Sequence, residues 1–153
     1  MTVTIKPLDD HDMALLAGQM REIDQFEFRV MSGGKPLRQV LDDVLKFAGP
    51  GRAAYFDGKL VAVYGVTAQT VLARDATPWM AATNEINSPK VRRAVVEHSK
   101  RELMDMAGPY SRLWNVVSEG NRVAIRWLKW MGFTFDGDVM IGPHRFLKFE
   151  MEA

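Results

Sequence analysis

The chain has 153 residues, 20 basic and 19 acidic side chains, and no cysteine. Apolar residues make up 47% and charged residues 25%, the mixture of an ordinary globular protein. The net charge of +1 favours neither a nucleic acid nor a membrane surface as partner. Without cysteine, disulfides, Cys-ligated zinc and a thiol nucleophile are excluded, so we expect a cytoplasmic protein. We also expect a single domain over residues 1–153, since no linker or repeat divides it.

The first third of the chain predicts one strand and two helices. Residues 2–5 are rich in β-branched side chains, as in a short strand. Apolar residues at helical spacing over residues 13–26 predict a helix, and three aspartates crowd its start. Pro36 opens a second helix, whose apolar face reaches Ala48 and which a Gly-Pro-Gly run at residues 49–51 ends.

The rest of the chain predicts a mixed sheet with two more helices. Strand signals at residues 53–56 and 60–67 flank Asp57-Gly58, a strong hairpin dipeptide. PWMAAT, residues 78–83, predicts the next strand, and Pro89 opens a long helix that ends at Gly108-Pro109. LWNVV, residues 113–117, predicts a strand parallel to PWMAAT because a helix connects the two. Residues 133–135 and 146–149 predict the last strands, which gives an α/β (α+β) fold.

The stretch NRVAIRWLKWMGF, residues 121–133, has the clearest helical pattern. Its apolar positions share one face: Ala124, Trp127, Leu128 and Met131. Asn121 stands at the N-cap position, and Gly132 stands where the chain must leave the helix. Folding alone accounts for this pattern, so Asn121 as a simple cap and Trp127 as a core aromatic remain open interpretations.

The same stretch also resembles a known motif, Asn-x-x-Ala followed eight residues later by Gly-Phe. It is similar to the late helix motif of the GCN5-related N-acetyltransferase (GNAT) superfamily, and the element order resembles that fold over nearly the whole chain. A closer resemblance, through PWMAAT and IRWLKWMGF, is to podophage acetyltransferase-like proteins called internal virion protein A-like. It implies a mixed, mostly antiparallel sheet of six to seven strands flanked by about four helices.

The resemblance also implies a cofactor, acetyl-CoA, and direct transfer of its acetyl group to an amine. The amine belongs to a protein lysine, an N-terminus or a small molecule. The strands PWMAAT and LWNVV would splay apart, and the pantetheine arm would hydrogen-bond in the gap like an extra strand. Eleven residues are expected to contact the cofactor: Ile86, Asn87, Ser88, Lys90, Val91, Arg92, Arg93, Asn121, Ala124, Trp127 and Leu128.

Proton transfer in this interpretation needs a base and an acid. Glu85, just past the PWMAAT strand, is the first candidate for the general base, with Glu119 second. Tyr110 is the candidate acid for the departing thiolate, with Tyr64 or water as alternatives. The loop at residues 32–35 is expected at the substrate end of the cleft. The three histidines lack metal-ligand spacing, so we expect no metal site.

Two departures from the superfamily pattern favour a second hypothesis. Residues 84–93 contain no glycine where the superfamily has Gln/Arg-x-x-Gly-x-Gly/Ala. Leu128 stands where many members place a tyrosine, and leucine has no proton to donate. The alternative is a catalytically inactive domain of the same fold that binds a host protein or assists virion assembly. Both hypotheses place the protein in the host cytoplasm, as a monomer or homodimer, without nucleic acid or membrane.

Overall fold

The structure is a computed structural model that describes residues 2–47, 51–68, 74–108 and 110–152. The predicted stop signals at Gly49, Pro50 and Pro109, and Ala48 of the second predicted helix, lie outside these residues. The elements in chain order are β1 (Val3–Pro7), α1 (Asp10–Gln19), α2 (Glu22–Met31), α3 (Leu37–Phe47), β2 (Gly51–Phe56), β3 (Lys59–Thr67), β4 (Asp75–Ala82), a 3-10 turn (Asn84–Asn87), α4 (Pro89–Ala107), β5 (Arg112–Ser118), α5 (Arg122–Met131), β6 (Thr134–Ile141) and β7 (His144–Glu152).

One seven-stranded sheet organises these elements in the order β1-β2-β3-β4-β5-β7-β6. Each neighbouring pair is antiparallel except β4 and β5, which are parallel. The predicted α/β class and the mostly antiparallel sheet are therefore confirmed, as is the parallel pairing of the PWMAAT and LWNVV strands. Because α4 crosses from β4 to β5, it must run over one face of the sheet.

The helices cover both faces of the sheet, as the alternation of side chains along β2 shows. Ala53 packs with Met13 and Leu16 of α1, whereas its neighbour Ala54 packs with Val91 of α4. α1 and α3 therefore lie on one face, here called the α1 face. α4 and α5 lie on the other, the α4 face, where α5 packs on β5 and β7.

The first predicted helix is in fact two, which raises the helix number from about four to five in the described part of the chain. The chain leaves helical geometry at Met20 and Arg21 because both have extended backbone angles there. Met20 forms a bridge with Thr83, and the Arg21 amide donates to the Ala82 carbonyl at 2.9 Å. The apolar periodicity continues through the break, so the pattern alone could not reveal it.

The hairpin between β2 and β3 follows the sequence prediction. Asp57 and Gly58 both have positive φ, 49° and 82°, as a type I′ turn requires. Farther along the hairpin, Gly65 makes room for Trp79 of β4, because a Cβ on Gly65 would stand 2.7 Å from Cζ2 of the indole. The indole therefore packs directly over Gly65, on the α1 face.

Candidate active site

β4 and β5 separate soon after they begin. Among the residues that the structure describes, the two strands pair only at Asp75 with Arg112 and at Ala76 with Leu113. Beyond that point β4 stays paired with β3, and β5 stays paired with β7. The two parallel strands therefore enclose a gap in the middle of the sheet, as the sequence analysis expected for these two segments.

A side chain, rather than the main chain, spans the narrow end of this gap. Asn115 of β5 donates from Nδ2 to the carbonyl of Pro78 at 2.8 Å, and its Oδ1 accepts from the Val116 amide at 2.7 Å. Pro78 has no N–H, so it offers only that carbonyl to the gap. The carboxamide of Asn115 thus satisfies two of the main-chain groups that strand separation exposes, the Pro78 carbonyl and the Val116 amide.

The β4 edge of the gap exposes main-chain groups beyond Asn115. Ala82 turns away from β3, since its amide donates to Asp24 Oδ2 at 3.0 Å and its carbonyl accepts from the Arg21 amide. Residues two apart on a strand direct their main-chain groups the same way. The amide and carbonyl of Met80 therefore face the gap, where an extended ligand could pair with them.

The β5 edge is closed at its far end by α2. Glu27 accepts from the Ser118 amide at 2.8 Å through Oε2 and from Asn121 Nδ2 at 3.1 Å through Oε1. Asn121 also caps α5, because its Oδ1 accepts from the Ala124 amide at 3.3 Å. The predicted cap is therefore confirmed, and the same side chain joins α5 to α2.

A cavity of about 250 Å³ runs through the gap and connects the two faces of the sheet. Its wall on the α4 face comes from α4 and α5 and is mostly apolar, with Val95, Leu103 and Met131 as examples, although α4 also contributes Arg92 and Ser99. Its wall on the α1 face comes from α2 and includes Glu27 and Met31. An open groove of about 420 Å³ adjoins it, since both are lined by Arg21, Asn121 and Val123.

The two carboxylates of α2 that line the cavity, Asp24 and Glu27, have opposite electrostatic surroundings. Asp24 is buried in a bidentate ion pair, with Arg21 Nε at 2.8 Å and Nη2 at 3.0 Å. Among the described residues, the hydrogen bonds that Glu27 accepts come from two neutral donors, the Ser118 amide and the Asn121 carboxamide. Burial raises the pKa of Glu27 to about 7, and the charge of Asp24 adds to the rise, while hydrogen bonds from Ser118 and Asn121 and the charge of Arg21 oppose it. One turn of helix therefore holds an ion-paired carboxylate beside a carboxylate whose pKa is raised toward neutral pH.

Comparison with known proteins gives matches among solved structures. No protein-family model and no curated protein matches the chain. A GNAT-family acetyltransferase from Bacillus anthracis superposes with a TM-score of 0.71 at 9% identity, over 99% of this chain and 95% of that one. Spermidine N-acetyltransferase from Vibrio cholerae, in complex with CoA and spermine, gives 0.68 at 11% identity, over 98% and 95%. The ribosomal-protein-S18-alanine N-acetyltransferase from Escherichia coli gives 0.66 at 17% identity, over 99% and 94%.

The chain has the GNAT fold. The superposition spans nearly the full length of this chain and of the proteins compared, so the whole architecture is shared. Because the sequence identities lie between 9% and 17%, this similarity shows the fold and not the activity. Within the part of the chain that the structure describes, no helix is both long and apolar enough to cross a membrane.

In this GNAT fold, the predicted cofactor residues divide into three groups. Six line the cavity: Ile86, Arg92, Asn121, Ala124, Trp127 and Leu128. Asn87 lines the adjoining groove. Among the described residues, the other four line neither: Ser88, Lys90, Val91 and Arg93. Val91 is instead buried in the core beneath β2 and β3.

The two predicted catalytic residues lie away from the cavity wall. Glu85 is half-buried in the 3-10 turn after β4, next to Ile86, which does line the cavity. Tyr110 is half-buried where the chain passes from α4 to β5, and it packs against the core beneath α5. In the described part of the chain, neither Glu85 nor Tyr110 lines the cavity or the groove.

Sequence reasoning missed four polar residues that shape the gap: Arg21, Asp24, Glu27 and Asn115. Asn115 carried a usable signal, since a carboxamide inside the apolar strand LWNVV needs a buried partner. Asp24 and Glu27 stand three residues apart on a helix, which puts them on one side. Their position against β4 and β5 depends on the break before α2, which the pattern did not reveal.

Proposed function

We propose that this protein is an N-acetyltransferase that passes the acetyl group of acetyl-CoA directly to an amine. The observation that carries the proposal is the separation of β4 from β5 after Ala76 and Leu113, with a cavity that runs through the sheet at that point. A pantetheine arm is long, thin and rich in amide groups. The gap offers it two strand edges and an apolar wall, which suits such a chain.

The residues around the gap suggest how the cofactor would be held. The amide and carbonyl of Met80 would pair with the pantetheine arm in the manner of an added strand. Trp127 and Leu128 would form the apolar wall, and the Trp127 indole is fixed by donation to Ser99 Oγ at 2.8 Å. Arg92 lines the cavity from the first turns of α4 and could attract the cofactor's phosphates. When bound, acetyl-CoA supplies a thioester carbonyl that an amine can attack.

The acceptor is an amine of open identity. The Vibrio cholerae enzyme of the same fold binds spermine, and the Escherichia coli enzyme is named for an alanine N-terminus, so a polyamine, a protein N-terminus and a lysine are all retained. Glu85 stays a candidate for the base in this proposal, and Tyr110 stays the candidate for the acid. Phage origin, location in the host cytoplasm and a host-protein partner rest on the sequence resemblance alone.

A calorimetric titration with acetyl-CoA, followed by a thiol-release assay, tests this function. The acceptors are spermidine, a lysine peptide and a peptide with N-terminal alanine. We expect saturable binding and release of free thiol with at least one acceptor. If millimolar acetyl-CoA produces no binding heat, the proposed function is wrong.

A second function, a catalytically inactive binding domain, is favoured by one specific contact. Asp24 and Glu27 already hold the amides of Ala82 and Ser118, which are gap-edge groups that a ligand could otherwise use. In that case α2 would keep the gap closed to any ligand, and the fold would serve only as a scaffold for binding another protein. The same titration separates the two functions, because a permanently closed gap gives no saturable heat with acetyl-CoA.

A further inference from the structure

We propose that Glu27 takes a proton from the acceptor amine, a role that rests on the acetyl transfer proposed above. Sequence reasoning pointed to Glu85 for this task. The structure offers a carboxylate inside the cavity wall itself, on the side of the sheet opposite α4 and α5.

The position of Glu27 suits a group that meets the acceptor rather than the cofactor. α2 presents it to the gap from the α1 face, whereas the apolar wall for the arm comes from the α4 face. Met31, one turn farther along α2, lines the same cavity and is 51% exposed. The cavity therefore reaches the surface beside α2, and an amine that enters there meets Glu27 next.

The hydrogen bonds to Glu27 fix the position of its carboxylate and leave each oxygen able to accept another hydrogen bond. Each oxygen accepts one bond, from Ser118 or Asn121, and a carboxylate oxygen has room for a second. An ammonium group could therefore bind in the remaining positions. Asn121 thereby has a second role, because the side chain that caps α5 also orients the proposed base.

Charges around the cavity distinguish Glu27 from its neighbour. Arg21 and Asp24 neutralise each other at the start of α2, and Asp24 also accepts from the Ala82 amide. In the described part of the chain, the other charged or titratable residues of the cavity wall are Arg92 and Tyr64, and burial raises the pKa of Tyr64 above its ordinary value of 10.0. Tyr64 is therefore neutral across the working range. Since the pKa of Glu27 is itself raised, it is a stronger base than an ordinary carboxylate.

The proton balance of the step is simple. A primary amine is protonated at neutral pH, and the nitrogen loses two protons in all. Glu27 takes the first and releases it to solvent, which frees the nitrogen lone pair. The nitrogen then bonds to the thioester carbonyl carbon, the carbon–sulfur bond breaks, and the second proton ends on the departing sulfur. The products are an amide, a free thiol and one proton.

The pH dependence of kcat/KM for Glu27→Gln tests the proposal. With spermidine, a lysine peptide or an alanine peptide, the wild type should lose activity below about pH 7, where Glu27 becomes protonated. Above pH 7 it should level off until the amine itself loses its proton. The variant should be slower by about a hundredfold at pH 7.5. The kcat/KM of the variant should rise steadily with pH up to the pKa of the amine, with no break near pH 7.

Three further measurements keep the outcome clear. Glu97→Gln, an exposed glutamate of α4, is the matched control and should keep the wild-type profile. Acetyl-CoA affinity of Glu27→Gln should match that of the wild type, because Glu27 is assigned to the amine. Carbon NMR of labelled glutamate in the free protein should show one side chain that titrates near pH 7 and that disappears in the variant.

Two results would overturn the role of Glu27. One is a Glu27→Gln enzyme with the wild-type rate and pH break. The other is the absence of any glutamate that titrates above pH 6 in the NMR experiment, which needs no substrate. If acetyl-CoA does not bind the wild type at all, the proposed function fails instead, and the NMR titration still judges Glu27 independently.

Discussion

Replacing Glu27 by glutamine should change how the free energy of unfolding depends on pH. The folded protein holds the Glu27 proton up to about pH 7, whereas the unfolded chain releases it near 4.5. Between these values the folded state binds more protons, so wild-type stability falls as pH rises. A pKa difference of that size corresponds to about 3 kcal/mol. The loss begins near pH 4.5 and is complete just above 7.

Urea unfolding of wild type and Glu27→Gln at pH 5, 6, 7 and 8 measures this effect. Other titrating groups contribute equally to both proteins, so the difference between the two isolates Glu27. We expect the free energy of unfolding of the variant, relative to that of the wild type, to increase by about 2 to 3 kcal/mol between pH 5 and pH 8. A difference that stays constant with pH, or that shifts in favour of the wild type, would refute the account of Glu27 as a buried carboxylate with a raised pKa.

Three other substitutions test the geometry of the gap. Asn121→Ala removes both the α5 cap and a hydrogen-bond donor to Glu27. It should therefore lower the free energy of unfolding by about 1 to 2 kcal/mol and weaken acetyl-CoA binding in a calorimetric titration. If both values are unchanged, Asn121 is not part of the binding site. Gly65→Ala forces a methyl group into the Trp79 indole and should lower the free energy of unfolding by about 1 to 3 kcal/mol, as measured by thermal unfolding. The control, Gly18→Ala, adds its methyl group in open space on α1 and should leave stability unchanged or raise it. Equal effects of the two substitutions would contradict the packing of Trp79 on Gly65. Asn115→Ala leaves the Pro78 carbonyl without its donor and should lower stability by about 1 to 3 kcal/mol in urea unfolding, and no loss would mean that the strands separate without it.

The sequence was most informative where local chemistry decides the structure. Asn121 and Gly132 mark the ends of α5 because a capping oxygen and a left-handed residue are needed there, and the structure has both, with Gly132 at φ 108°. Asp57-Gly58 specified the hairpin for the same reason. The parallel β4–β5 pair followed from the crossover helix between them. These features depend on neighbours in the chain.

The gap itself depends on contacts between distant segments, which explains what sequence reasoning missed. Glu27 reaches Ser118 and Asn121 across more than 90 positions of the chain. No local pattern encodes such a contact. The break between α1 and α2 is stabilised by Thr83 and Ala82, again far along the chain. Glu85 follows β4 as predicted, and in the turn there Ile86, rather than Glu85, lines the cavity.

The most direct test of the central claim is hydrogen exchange at the amide of Met80, followed by NMR with and without coenzyme A. The amide of the neighbouring Ala81 is the internal control, because it faces β3 and is already paired. If a pantetheine arm lies in the gap between β4 and β5, exchange at Met80 slows when coenzyme A is added, while Ala81 stays unchanged. Exchange at Met80 that is identical with and without millimolar coenzyme A would contradict the account.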